Sequence, residues 1–124
     1  DLRALRAAAR TLKPGGLFLI DVLDFAWLKD NFKAQQWARR ADGAYRLEES
    51  GLRTGPDPAL IVEWTIVPLR GKAQKVRFFV RGYDERRLTA LLKRAGLKPV
   101  RRFRCLNGAR AGNRLVVLAG RGPI

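Results

Sequence analysis

Apolar positions at helical spacing open the chain. Leu2, Leu5, Ala8, Ala9 and Leu12 fall on one face, and Arg3, Arg6 and Arg10 on the other. The period predicts an amphipathic helix over residues 2–12. Pro14 ends it, and Gly15-Gly16 give the backbone freedom for a reversal. Leu17-Phe18-Leu19-Ile20 follows as an apolar run without alternation, which predicts a central strand buried on both faces. Asp21 and Asp24 come at its carboxyl end. A phosphate-cradling loop has its glycines after a strand and before a helix. Here the order is reversed, so the glycines punctuate an α/β sheet rather than hold an anion.

Between residues 22 and 40 the pattern loosens. Phe25, Trp27, Leu28, Phe32 and Trp37 are too large and too frequent for a solvated loop. They predict a helical connector that packs aromatic rings over a concave surface or forms a satellite of the core. Alternation then returns, and residues 45–49, 59–68 and 75–83 read as three strands. Ile61, Glu63, Thr65 and Val67 share one face, and Val62, Trp64 and Ile66 the other. Arg77, Phe79 and Arg81 alternate with Val76, Phe78 and Val80. Turn signals at Asp42-Gly43, residues 51–58 and Arg70-Gly71-Lys72 separate the strands, which predicts an inserted antiparallel meander.

Asp84 suits a helix N-cap, Leu88, Leu91, Leu92 and Ala95 make a buried stripe, and Gly96 stands where a left-handed C-terminal residue belongs. Strands near residues 98–105 and over 114–119, joined by a polar Gly-rich loop over 107–113, are expected to close the chain as antiparallel neighbours.

A length of 124 residues supports one domain with one core. No apolar run approaches the roughly 20 residues of a membrane span. There is no basic-then-apolar leader, and the single Cys105 cannot form an internal disulfide, so a reducing cytoplasm is the expected compartment. The sequence begins at Asp1, already inside a helical pattern, and contains no Met, which predicts a cut through a larger domain. Lys and Arg outnumber Asp and Glu by 26 to 11, for a net charge of +15, basic enough for a nucleic-acid surface. The arginines spread over helix, strands and loops without a run of five or six like charges.

The chain holds no His, which excludes Ser-His-Asp and Cys-His nucleophile systems and His-based metal sites within it. One Cys excludes a Cys-rich zinc site, and no metal site is expected. Cys105 reads as a buried apolar residue. Residues 108–112 lack the order and the following helix of a P-loop. Asp21 and Asp24, three apart at a strand end, could bind a cation or a substrate amine; a turn with a helix-capping Asp explains them as well. Arg81 and Tyr83 end a strand just before a helix, where ligands bind in open α/β sheets. An Arg there can hold a carboxylate and a Tyr hydroxyl can orient a nucleophile. A partner-facing salt bridge and a strand-end aromatic are the plainer alternatives.

Residues 10–21, Arg-Thr-Leu-Lys-Pro-Gly-Gly-Leu-Phe-Leu-Ile-Asp, resemble the helix, turn and fifth strand of class I S-adenosylmethionine-dependent methyltransferases. Trp37, Asp42-Gly43, Leu47-Glu48-Glu49 and Glu63-Trp64-Thr65-Ile66 resemble the small β insertion of one subgroup. Residues 81–85, Leu88, Leu91-Leu92 and Ala95-Gly96-Leu97 resemble its last helix, and Asn107-Gly108 with residues 114–119 its final hairpin. Nearly the whole chain is covered, in the family's order.

The resemblance implies the C-terminal half of a Rossmann-like α/β sheet of seven strands, mostly parallel, with an antiparallel last strand. Residues 1–21 and 84–124 would form part of the methyltransferase core, and residues 22–83 a connector and β-meander lid. It implies S-adenosylmethionine as cofactor. The Gly-x-Gly-x-Gly motif and the ribose-binding acidic residue would precede Asp1, so no cofactor-binding residue carries over. What remains is a substrate side for a small-molecule methyl acceptor, with Asp21, Asp24, Phe25, Trp64, Arg81 and Tyr83 as pocket candidates. A missing N-terminal half or a partner chain would complete the sheet, and the isolated chain would be inactive. An alternative is a basic α+β module that binds RNA, with Phe78, Phe79, Trp64 and Arg77 as its stacking and phosphate surface. An RNA methyltransferase would combine the two, and a non-catalytic methyltransferase-like subunit is a third possibility.

Overall fold

The structure, a computed structural model, describes residues 1–104 and 112–122. Its elements in chain order are α1 (Leu2–Thr11), β1 (Leu17–Leu23), α2 (Phe25–Asp30), β2 (Gln35–Arg39), β3 (Tyr45–Arg53), β4 (Ala59–Val67), β5 (Gln74–Arg81), α3 (Glu85–Arg94), β6 (Leu97–Phe103) and β7 (Arg114–Arg121). They divide into two compact units: Asp1–Leu28 with Tyr83–Ile124, and Lys29–Gly82.

The first unit holds a three-stranded sheet in the order β1-β7-β6. β7 is antiparallel to both neighbours, so β1 and β6 run parallel to each other. The expected closing pair of antiparallel strands is present. Leu5 and Ala9 of α1, Leu88 and Leu92 of α3, Ala95, Leu97, and Leu115, Val117 and Ala119 of β7 form the core. Phe18, Ile20 and Val22 of β1 pack against it. Leu88, Leu92 and Leu97 are fully buried, and each stabilises the unit by about 1.5–3 kcal/mol relative to an exposed side chain.

β1 departs from the expectation of burial on both faces. Leu17 and Leu19 point away from the core and stay 57% and 46% exposed. The apolar run is real, but this unit packs the core against only one face of the strand, so burial alternates along β1.

The Lys13–Gly16 reversal is a tight turn of the Pro-Gly type. The Gly16 N–H donates to Lys13 O at 2.8 Å, and Gly15 takes φ 78°, the left-handed value this turn requires after a proline. The turn then joins the end of β7. Gly15 N–H donates to Arg121 O at 3.0 Å, and Arg121 N–H donates to Gly16 O at 2.9 Å.

Both sequence signals around α3 hold. The Asp84 carboxylate accepts the Arg87 N–H at 2.8 Å as N-cap, and Gly96, at φ 85°, follows the helix end.

The second unit is a four-stranded antiparallel sheet in the order β2-β3-β4-β5. One of its strands replaces an expected helix. Over residues 22–40 the helical connector is limited to α2, and Gln35–Arg39 instead pairs with β3 as β2. Trp37, expected among packed aromatic rings, is 70% exposed on this added edge strand. β3 runs on to Arg53, so the loop expected over 51–58 shrinks. The Arg53 side chain clasps it by donating to the backbone and carboxylate oxygens of Asp57 at 2.8 and 2.9 Å. Buried side chains in this unit are few and small, namely Ala44, Pro58, Ala59 and Val62. Among the described residues no helix is long and apolar enough to cross a membrane. Cys105 and most of the Gly-rich loop expected over 107–113 lie outside the described residues.

Candidate functional site

The carboxyl end of β1 is pinned from two sides. Asp24 N–H donates to Asn113 O at 3.0 Å, and Phe25 N–H donates to Tyr83 O at 3.0 Å. Asp24 and Tyr83 form an isolated parallel bridge. The elements that follow and precede the inserted sheet therefore meet at this strand end.

Asp24 then starts α2. One carboxylate oxygen accepts the Ala26 N–H at 3.0 Å, and its backbone oxygen accepts the Leu28 N–H at 3.0 Å. This is N-cap geometry. The second carboxylate oxygen lies 3.5 Å from Arg104 Nη1, and the Asp24 side chain is only 12% exposed. Asp21, within β1, accepts from Arg114 Nε at 2.8 Å in a half-exposed pair. Arg114 also reaches the Asp21 backbone oxygen at 3.4 Å. The Phe25 ring is buried, and the half-buried Tyr83 donates its hydroxyl hydrogen to the Asp1 carboxylate.

Four of the six pocket candidates, Asp21, Asp24, Phe25 and Tyr83, thus gather at one strand end. Both carboxylates face arginines, so the cluster is charge-balanced rather than a bare cation site. Asp24 spends its oxygens on the α2 cap and Arg104, which is the capping alternative weighed in the sequence. Among the described residues no group of three or more His, Cys, Asp and Glu side chains is placed to hold a metal ion.

Trp64 and Arg81 belong to the second unit, on opposite faces of its sheet. Trp64 pairs with Glu48 and Val76, whereas Arg81 pairs with Ala59 and lies on the Phe79 side. The Trp64 indole N–H donates to Glu48 Oε1 at 2.8 Å. Its ring meets Phe78 edge-on at 4.9 Å, and the Arg46 guanidinium lies 4.9 Å over it. Gln36 donates its side-chain amide to the other Glu48 oxygen. Burial pushes the Glu48 carboxyl up, but the hydrogen bonds from Gln36 and Trp64 and the charge of Arg46 outweigh it and hold the group below its ordinary value. The indole is therefore held by its polar edge and by both neighbouring side chains.

This arrangement splits the residues of the alternative RNA-binding reading between two faces of the sheet. Period-2 alternation places Phe78 with Trp64 but Phe79 and Arg77 on the opposite face. Arg77 is in addition ion-paired to Glu63 at 3.0 Å.

Arg46, Glu48, Gln36, Arg104 and Arg114 were not among the site candidates of the sequence. Their partners are set by strand register, Glu48 opposite Trp64 and Arg114 opposite Leu23. Alternation alone gives a residue's face and not the neighbour it meets there.

No protein-family model matches the sequence, and no curated protein sequence matches it. Solved structures do. A S-adenosylmethionine-dependent methyltransferase from Clostridium acetobutylicum ATCC 824 superposes with a TM-score of 0.73 at 17% identity, over 98% of this chain and 50% of its own. The sugar N-methyltransferase KedS8 from Streptoalloteichus sp. ATCC 53650 gives 0.64 at 22% identity, over 98% and 48%. CalS10, an amino pentose methyltransferase from Micromonospora echinaspora solved with S-adenosylmethionine bound, gives 0.60 at 17% identity, over 97% and 50%. The fold matches about half of each of these methyltransferase structures. The chain spans about half the length of these structures.

The described glycine turn does not fit the cofactor. Both N–H groups of Gly15-Gly16 are committed to backbone oxygens of Arg121 and Lys13, so the turn offers no donors to an anionic or carboxylate group.

Proposed function

We propose that this chain is the substrate-side, C-terminal half of a S-adenosylmethionine-dependent methyltransferase acting on a small molecule. The fold match carries the proposal: nearly all of this chain superposes on about half of each methyltransferase. Two of those structures are described as sugar or amino-sugar methyltransferases, which favours a small-molecule acceptor.

The two sheet edges support the idea of a half. β6 carries Pro99, Lys98, Arg101 and Arg102, and a register irregularity between Pro99 and Arg101. Those are the devices that keep an edge strand solvated. β1 has no proline and no bulge, and it exposes Leu17 and Leu19. The unguarded edge is the one that a further strand would join, from the same polypeptide or a partner chain.

In this reading the chain binds and orients the methyl acceptor and helps exclude water, the two requirements of an in-line transfer. Tyr83 and Asp21 are the acceptor contacts, with the buried Phe25 and the capping Asp24 holding the strand end. The test is steady-state kinetics with labelled S-adenosylmethionine and a panel of small amine and hydroxyl acceptors. Tyr83→Phe and Asp21→Asn are expected to raise the KM of the acceptor and leave that of S-adenosylmethionine unchanged. A change confined to the S-adenosylmethionine KM would contradict the assignment.

A further inference from the structure

From Arg86 to its end the chain carries eleven Lys and Arg and no Asp or Glu, so eleven of its fifteen net positive charges fall in the last 39 residues. The charge is not spread evenly. Much of it is gathered on α3 and β6, where Arg86, Arg87, Lys93, Arg94, Lys98, Arg101 and Arg102 have only Glu85 and the N-cap Asp84 as acidic neighbours in sequence.

A groove of about 530 Å³ runs along this surface, lined by Glu85, Arg86, Thr89, Ala90, Lys93 and Arg102. Arg86 and Lys93 stand on one face of α3, seven residues and about 10.5 Å apart along its axis, with the small side chains of Thr89 and Ala90 between them. Arg102 reaches in from β6. It is ion-paired to Glu85 and donates to Thr89 Oγ1 at 3.4 Å. The groove therefore has two cationic ends, a small-residue floor, and a third cation held by an internal carboxylate.

We propose that this α3–β6 groove docks an acidic polypeptide segment of a partner protein. Guanidinium groups pair carboxylates through two parallel hydrogen bonds, and clusters of arginine are a recurrent means of reading acidic motifs. Size and composition favour a polypeptide over nucleic acid. The volume takes a few residues of chain, and among the described residues no aromatic side chain lines the groove to stack a base. Glu85 acts as a built-in competitor, because it occupies Arg102 in the way the partner's carboxylate would. The proposal does not depend on the methyltransferase reading.

The experiment is fluorescence anisotropy of a labelled alternating Glu-Ala peptide, titrated with the full polypeptide or assembly that carries this chain at about 50 mM and about 200 mM salt. The double variant Arg86→Glu/Lys93→Glu is expected to weaken binding at least about tenfold. Glu85→Gln is expected to tighten it by freeing Arg102. The control Arg3→Glu/Arg6→Glu makes the same change in net charge on the exposed face of α1 and is expected to change affinity by less than about twofold. If charge reversal disturbs α3, Arg86→Ala/Lys93→Ala serves in its place. No binding at the lower salt overturns the proposal. So does equal loss in the α1 control, and so does tighter binding of an RNA of equal charge that the groove variant abolishes.

Discussion

Alanine at Gly15 and at Gly16 should destabilise the first unit by two different mechanisms, and asparagine separates them. At Gly15 an added Cβ meets nothing within 4 Å. The cost is conformational, because φ is 78° and an L side chain in that region costs about 1–2 kcal/mol. Asparagine tolerates left-handed backbone through local hydrogen bonds, so Gly15→Asn should recover part of the loss. At Gly16 an added Cβ would sit 2.8 Å from Lys13 O, 3.2 Å from Leu12 Cβ and 3.3 Å from Lys13 N. That oxygen accepts the turn's own hydrogen bond, and the Arg121 pairings follow directly. Relief means opening the turn, and losing two or three such bonds at about 1 kcal/mol each gives roughly 2–3 kcal/mol. Asparagine should not help there. The assay is urea unfolding with Trp37 and Trp64 replaced by phenylalanine, so that Trp27 reports on the first unit. Both alanine variants should lower the midpoint at an unchanged m-value, Gly16→Ala by more. Equal rescue by asparagine at both positions, or a neutral Gly16→Ala, would refute the reasoning.

Glu48→Gln puts an amide donor among groups that donate to the native carboxylate, and should cost about 1–3 kcal/mol in unfolding of the second unit. Because the folded Glu48 carboxyl lies below its ordinary value of 4.5, its stabilisation is complete above that pH and drains as pH falls through the lower folded value. Wild type should lose stability over that acid range more steeply than Glu48→Gln, measured by denaturant midpoints across pH. Asp24→Ala removes the α2 cap and should cost about 0.5–2 kcal/mol, while Asp24→Asn, which can still accept the Ala26 N–H, should recover most of it in the same assay. Asp21→Asn, in a half-exposed pair with Arg114, should cost less than about 1 kcal/mol and less still at high salt.

Local chemistry was legible in the sequence wherever a single residue type decides the backbone. Pro14-Gly15-Gly16, Asp84 and Gly96 mark their turn, cap and helix end without reference to the rest of the chain. Alternation gave the faces of β4 and β5 for the same reason. What was hidden depends on pairing. Gln35–Arg39 has no strong period of its own and becomes a strand because β3 offers it an edge. Leu17 and Leu19 read as doubly buried because an apolar run records what a strand is built to meet, and this unit covers only one side. At the candidate site, Asp24 and Tyr83 were recognisable as strand-end residues. Arg104 and Arg114 were not, since their carboxylate partners come from distant parts of the chain. The crowding of charge after Glu85 needed no structure at all; it escapes a search for runs of like charge because apolar core residues of α3, β6 and β7 interrupt it.

Calorimetry with S-adenosylmethionine tests the central claim most directly. The measurement compares the 124-residue chain with the full polypeptide or assembly that supplies a strand to the free edge of β1. The account predicts binding by the completed protein and none by the chain alone, with Leu19→Lys on β1 abolishing it in an assembly of separate chains. Equal binding by the isolated chain would contradict it, as would a completed protein that does not bind.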